Sequence, residues 1–292
     1  VATLRQLKDR VRSLKNTQQI TRAMKMVAGA KIRRAESAMR AARPYAVAMG
    51  EMLGELSRSG GVRHPLLQAR EIAADGIVLM TADKGLAGAF NSNLVREGLG
   101  LARRATKPSL YLVGTKARVQ LRSSGYPVEA SWALQSKPFP ELAREIAQRV
   151  SGDFLSAKID KLTLVSSRFV STIVQRPTPS QLLPIAPSNA SDGASPAAEP
   201  EKPGQKNAFE FEPDAAAVLV ALLPKYLEFA IFQALLETQA SFFAAQLIAM
   251  TNATDNAGKL IDELTLVMNK TRQAAITKEI LEIVGGAEAL KG

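Results

Sequence analysis

The first apolar positions of the chain, Leu4, Leu7, Val11 and Leu14, recur at alternating spacings of three and four, the seam of a helix that pairs with another helix. Beyond Leu14 the seam continues through Gln18, Thr21, Met24, Ala28 and Ala35, so large side chains give way to small and polar ones. Such a seam lets two backbones approach closely but buries little apolar area. Pro44 has no amide hydrogen and crowds the preceding turn, which predicts a kink or break there, inside a helical segment covering 1–57. From Gly76 the period changes. The runs "GIVLMTA" and "SLYLVG" are short and apolar, each followed by a helical pattern (Asn91 to Ala105 and Thr115 to Ser123), and "PELAREIAQRV" is a third amphipathic helix. That alternation predicts a small parallel α/β sheet. "DKLTLVSSRFVSTIVQRP" adds two strands about a turn, an antiparallel edge, and the whole unit is placed at 70–185.

Residues 184–213 hold six of the fifteen prolines, among Ser, Ala and acidic residues. This composition predicts a linker, 186–213, too poor in apolar side chains to order itself. From Asp214 to Val284 the pattern is helical again, with Gly258 its one glycine, enough for a rod of roughly 105 Å at about 1.5 Å per residue. The expected fold class is therefore α/β plus coiled coil. The terminal helices, 1–57 and 214–292, pair antiparallel, and a small Rossmann-like α/β domain is inserted between them at one end of the rod.

Charge sharpens this picture. The formal net charge is +11, and residues 1–43 carry twelve Lys or Arg against only Asp9 and Glu36. Nearly all the excess sits on the first helix, so its partner should be acidic: a protein surface, a nucleic acid or an anionic membrane. The chain has no cysteine, hence no disulfide or cysteine-ligated metal. Its longest apolar run, "AAAVLVALL" from Ala215, is short of a bilayer span, so direct membrane insertion is not expected.

Candidate chemistry is sparse. "DKGLAGAFN", Asp83 to Asn91, puts glycines on a turn between strand and helix, where phosphate loops occur, but it supplies only G-x-x-G where the dinucleotide fingerprint needs G-x-G-x-x-G. "ATDNAGKL", Ala253 to Leu260, imitates the end of a phosphate loop, yet Ala253 and Leu260 replace its glycine and hydroxyl residue, and it lies within a helical pattern. His64, the single histidine, sits in a proline-flanked loop suited to capping, and Trp132 to anchoring the α/β unit. No carboxylate cluster has metal spacing. The polar stretches "NTQQIT" and "NKTRQAAIT" admit two readings, a register-fixing polar layer with a solvated face, or groups that hydrogen-bond a surrounding partner. A basic coiled-coil nucleic-acid binder is the alternative function, but the basic helix lacks the interleaved aromatics of such a surface.

"NTQQITRAMKMVAGAKIRRAE", "DKGLAGAFN", "SQLLPI" and "ATDNAGKLIDELTLVMNKTRQAAITKEILEIVGGAEAL", in this order, resemble the gamma subunit of rotary (F-type) ATP synthases over the chain except for most of the proline-rich linker. Ala87 departs from the cysteine usual in the family's GLCG turn, and the linker is longer than usual. The resemblance implies a non-catalytic rotor shaft within a ring of alpha and beta subunits. Its foot would rest on the membrane c-ring beside an epsilon-type stalk subunit, with no nucleic acid among its partners. ATP, ADP and magnesium would be bound by the ring and no cofactor by this chain. The location implied is peripheral to the energy-coupling membrane, on the cytoplasmic side of a bacterial inner membrane or the matrix side of a mitochondrial one. Position by position, the resemblance assigns Arg272, Gln273 and Thr277 to hydrogen bonds with a beta-subunit loop. It sets Met24 and Lys25, with the basic residues Lys31, Arg33 and Arg34, beside acidic beta loops, and Lys84 against the same subunit. "IVGGAEAL" becomes the tip in an apolar sleeve, and Phe209 and Phe211 lie near the rotor ring.

Deletion of Ser188 to Lys206 is expected to leave folding and assembly near those of the parent, because closure entropy changes slowly with loop length and no predicted core residue is lost. Failure of the deleted chain to co-purify with the ring would make this segment a docking element.

Overall fold

A computed structural model of the chain describes residues 3–58, 64–185 and 214–289. The elements run α1 (Leu4–Arg58), a single 3-10 turn (Pro65–Leu67), β1 (Asp75–Met80), α2 (Phe90–Arg104), β2 (Ser109–Val113), α3 (Thr115–Leu121), β3 (Val128–Trp132), α4 (Phe139–Leu155), β4 (Lys161–Phe169), β5 (Gln175–Leu183) and α5 (Ala215–Ala289). They form two compact units. One comprises residues 1–29 with 246–292, the other residues 30–245. Both long helices pass from one unit into the other, whereas the division expected from the sequence kept each terminal helix whole. The linker 186–213, with Phe209 and Phe211, lies outside the described residues.

In the first unit the predicted seam is the buried stripe of α1. Leu7, Val11, Thr21 and Ala28 are buried and Leu4, Leu14, Gln18 and Met24 half-buried, while Ile20, Met26 and Val27 point to solvent. The partner stripe on α5 is Met250, Ala257 and Ile261. A Cβ on Gly29 would stand 3.9 Å from Leu247, Thr21 meets Thr254, and a Cβ on Gly258 would stand 3.0 Å from the Gln18 amide. Steps down one helix therefore match steps up the other. The pair is antiparallel, as the sequence predicts.

The second unit is built on a five-stranded sheet of order β3-β2-β1-β4-β5, in which β5 alone is antiparallel. The central strands are buried on both faces, as their unbroken apolar runs require. On one face Val78, Met80, Tyr111 and Leu164 pack with α4 and with Leu219, Leu223, Leu227, Ile231 and Leu235 of α5. On the other, Ile77, Leu79, Leu112 and Val165 pack with α2, α3, Ile32 and Ala35 of α1, and Ala240 to Ala244 of α5. Helix α5 thus serves both layers in turn.

Three expectations need correction. Helix α1 runs through Pro44 to Arg58 without a break. Pro44 is exposed, so the carbonyl it orphans can reach water, and Met49, Leu53 and Leu56 bury the opposite face; that burial outweighs a proline cost of about 3 kcal/mol. Strand β3, "VEASW", is not among the predicted elements, because its edge position, with no residue fully buried, leaves no apolar run to read. By length and composition α5 does contain a stretch apolar enough to cross a membrane, since Pro224 does not interrupt it. The buried Leu219 to Leu235 stripe accounts for that apolarity within the sheet's own core.

Smaller readings hold. His64 Nδ1 accepts the Leu66 amide, capping the 3-10 turn, and Trp132 is half-buried, donating to Glu145 at 3.1 Å. Gly114, at φ +93°, could bear no side chain, since a Cβ would lie 2.2 Å from the Thr81 carbonyl oxygen.

The buried Tyr111 hydroxyl donates to Asp153 at 2.7 Å, and Arg149 donates to the same oxygen at 3.0 Å. Burial and this carboxylate raise the tyrosine's pKa. Burial alone would raise Asp153 too, but the hydrogen bonds from Tyr111 and Arg149 hold it below the usual carboxylate range. A depressed acid contributes stability above its unfolded pKa and loses it as pH falls through the folded value. Tyr111→Phe should accordingly cost about 1–2 kcal/mol at neutral pH. In denaturant titrations the deficit should shrink in acid, and a deficit that does not change with pH would contradict this coupling.

Candidate functional site

In the first unit the two readings of the polar stretches separate. Gln18 Nε2 donates to the Thr254 carbonyl at 3.4 Å. The Thr254 hydroxyl lies 2.9 Å from Thr21 Oγ1 and 2.7 Å from the Met250 carbonyl, and Thr21 in turn donates to the Gln18 carbonyl at 3.0 Å. "NTQQIT" is thus a polar layer that favours one register of the pair, since sliding by a turn would break the bonds from Gln18 and Thr21 to Thr254. Met24 and Lys25, half-buried, follow directly after it on α1.

"NKTRQAAIT" behaves differently. By the same register it lies level with the beginning of α1 and beyond. Thr271 is half-buried, and every residue from Arg272 to Ala287 is exposed. Arg272 and Gln273 make no side-chain hydrogen bond or ion pair to a described residue, and Thr277 bonds only the Gln273 carbonyl, at 3.0 Å. Ile276, Ile280, Leu281, Ile283 and Val284 follow, 48–72% exposed. This helix end thus presents a guanidinium and an amide with no side-chain partner among the described residues, followed by a run of uncovered large aliphatics.

In the second unit Arg33 and Arg34 are exposed, and Lys31 reaches over the Phe243 ring, 5.3 Å from its centroid. The aromatic face steadies the ammonium while leaving it hydrated and available. Lys84 is exposed on the β1–α2 turn. That turn is rigidly tied: Asn91 accepts the Ala82 amide at 3.0 Å and donates to the Lys84 carbonyl at 3.2 Å. The Asp83 carboxylate accepts backbone amides of Thr115, Leu134 and Gln135 at 2.9–3.1 Å. The first amides of α3 are already taken by Asp83 and by the Thr81 hydroxyl, which accepts from Ala117 at 2.9 Å. "ATDNAGKL" lies wholly inside α5, which removes the loop that its resemblance to a phosphate site requires.

Leu86 was not anticipated. It holds φ +61° and is 64% exposed between the two glycines of this turn. A branched residue kept left-handed at a tied, solvent-facing tip is a feature of display, not of packing; "GLAG" carries the backbone signal but not which residue protrudes. Of the residues selected from sequence, Met24 and Lys25 lie beside the polar layer and Arg272, Gln273 and Thr277 on the free helix end of the first unit. Lys31, Arg33, Arg34 and Lys84 belong to the second. Phe209 and Phe211 fall outside the described residues.

Comparison with known proteins points one way. A family profile described as ATP synthase matches residues 3–290. The ATP synthase gamma chain of Desulforamulus reducens is 43% identical over 293 residues, covering all of both chains, and that of Pelotomaculum thermopropionicum is 45% identical over 99% of each. A chain from the Tetrahymena thermophila mitochondrial ATP synthase central stalk and c-ring structure superposes with a TM-score of 0.60 at 28% identity, covering 80% of this chain and 99% of that one. One from the Euglena gracilis mitochondrial ATP synthase gives 0.68 at 21% identity over 98% and 94%.

The polar layer makes a testable claim. Thr21→Val and Thr254→Val should each lower stability by about 1 kcal/mol, and the double variant should lose less than the sum by about 0.5 kcal/mol or more, because the two hydroxyls share one hydrogen bond. Strict additivity in a double-mutant cycle of denaturant unfolding would show that they do not interact.

Proposed function

We propose, from the premise that this chain belongs to the ATP synthase gamma family, that it is the central rotor shaft of an F-type ATP synthase. It carries rotation between a proton-driven membrane ring and a catalytic ring of alpha and beta subunits. The observation that carries this reading is α5, one uninterrupted helix whose first half is buried in a sheet core and whose last turns, from Arg272, are wholly exposed. One end is built to be held and the other to be surrounded.

The chemistry of each surface fits its proposed partner. Lys25, Lys31, Arg33, Arg34 and Lys84 face acidic loops of the beta subunits, Met24 sits beside them, and Arg272, Gln273 and Thr277 bond a beta-subunit loop at one rotor angle. The exposed aliphatics from Ile276 to Val284 turn in an apolar sleeve. The foot of the shaft rests on the c-ring, which Phe209 and Phe211 meet, beside an epsilon-type stalk subunit. ATP, ADP and magnesium are held by the ring, and this chain contributes no catalytic residue and binds no cofactor. The chain is peripheral to the energy-coupling membrane, on the cytoplasmic side in a bacterial cell.

Two measurements test this. Replacing Lys25, Lys31, Arg33 and Arg34 by glutamine should weaken assembly with the ring most at low salt, the deficit fading as ionic strength rises, because these are solvent-screened contacts. Equal assembly across the salt series would remove the acidic partner. Arg272→Ala with Gln273→Ala should lower turnover of the assembled complex severalfold while the helix persists, since alanine favours helix and charge-assisted bonds contribute about 1.5–3 kcal/mol each. Parental rates of hydrolysis and synthesis would reduce this pair to a solvated face.

A further inference from the structure

Three fully buried polar side chains sit where β4 runs past the end of its neighbour: Ser167 on the strand, and Thr238 and Ser241 on α5, all at most 1% exposed. Their presence follows from the sheet. The β1–β4 ladder ends at the pair Leu79 and Val165, so Ser167 lies beyond the reach of β1. On the other side Ser167 is paired with Pro177 of β5. Proline has no amide to give, and in an antiparallel ladder a pair exchanges both hydrogen bonds or neither, so the Ser167 amide and carbonyl point away from β5. Left there, both would be buried and unpaired.

Helix α5 takes the place of the missing strand. The Ser167 amide donates to Thr238 Oγ1 at 3.4 Å, and the Ser241 hydroxyl donates to the Ser167 carbonyl at 3.3 Å. Two residues along, the Phe169 amide points the same way, toward the Glu237 carboxylate. The Gln233 amide donates to that carboxylate, at 3.3 Å. Glu237, Thr238 and Ser241 thus continue the sheet's hydrogen bonding onto a helix. They lie in the two turns of α5 before Ala245, where the helix leaves this compact unit, and at the point where its contacts change from one face of the sheet to the other.

Apolar contacts are non-directional, and a smooth helix lying on a sheet can roll or slide with little change in buried area. Directional bonds to fixed backbone groups resist both motions, because any rotation strands buried donors and acceptors. We propose that Glu237, Thr238 and Ser241 form a torque clamp: positioning residues that lock α5 to the end of β4, so that force applied to the α/β unit reaches the far end of the helix as rotation and is not lost as slip. This rests on the rotor reading above and adds to it the place at which the helix is gripped.

The test uses the assembled complex in proton-tight liposomes, with Thr238→Val, which keeps shape and removes the hydroxyl, and Thr238→Ser, which keeps the hydroxyl. Hydrolysis without a gradient works against little load; synthesis against a high ATP to ADP ratio works against a large one. Thr238→Val should hydrolyse ATP at the parental rate yet synthesise it severalfold more slowly, with the deficit growing as the ratio is raised, and Thr238→Ser should restore synthesis. A deficit in Thr238→Ser with none in Thr238→Val would assign the site to packing, and load-independent rates in both would equally overturn the clamp. Should Thr238→Val fail to assemble, Ser241→Ala, which removes the single bond to the Ser167 carbonyl, is read by the same load dependence and the same two outcomes. Failure of the rotor reading itself would show differently, as absence of gradient-driven synthesis in complexes containing the parental chain.

Discussion

The structure depends on α5 being one helix that must satisfy three different environments in succession. Its first turns present large aliphatics to one face of the sheet, its middle presents Ala240, Phe242, Phe243 and Ala244 to the other, and its continuation offers Met250, Ala257 and Ile261 to α1. A helix cannot change its buried face without either twisting or changing neighbours. Here the neighbours change, and the change occurs at Thr238 and Ser241, where polar bonds to β4 hold the helix while its apolar surroundings exchange. The large side chains on the sheet side contribute about 1.5–3 kcal/mol each. The small ones against α1 contribute much less, so burial energy is concentrated in the α/β unit.

That gradient suits a shaft. Where α1 and α5 pair, register is set by Gln18, Thr21 and Thr254, with Gly258 lying against the Gln18 amide. Directional bonds fix the pair while its outer surface stays thin, basic and weakly apolar. Farther along, α5 has no covering neighbour among the described residues, which leave its large aliphatics exposed. Stability in the globular unit, register in the pair and bare surface at the tip are three properties of one helix, each assigned by the size and polarity of the residues on its inner stripe.

Much of this is legible in the sequence. The seam from Leu4 to Ala35, the strand–helix alternation after Gly76 and the antiparallel edge all rest on periodicities of 3.5, 3.6 and 2 that survive in three dimensions. What could not be read depends on tertiary neighbours. Pro44 does not break its helix because the face opposite it is buried. β3 is a strand because β2 offers it an edge, not because "VEASW" is strongly apolar. The roles of Asp83, Thr238 and Ser241 are hydrogen bonds to residues 32 to 74 positions away, which no local pattern encodes. The exposed Arg272 and Gln273 were found through family resemblance, since a polar pair on a helix looks the same whether it meets a partner or water.

The central claim, that this chain turns as a shaft gripped at its α/β unit, is open to direct observation. The chain has no cysteine, so Ser123→Cys, at an exposed position of that unit, provides a unique thiol once any reactive cysteines of the other subunits are replaced. With the catalytic ring fixed to a surface and a bead attached through this thiol, addition of ATP should produce continuous rotation in a single sense. A bead that stays still on complexes shown to be hydrolysing ATP would contradict the account.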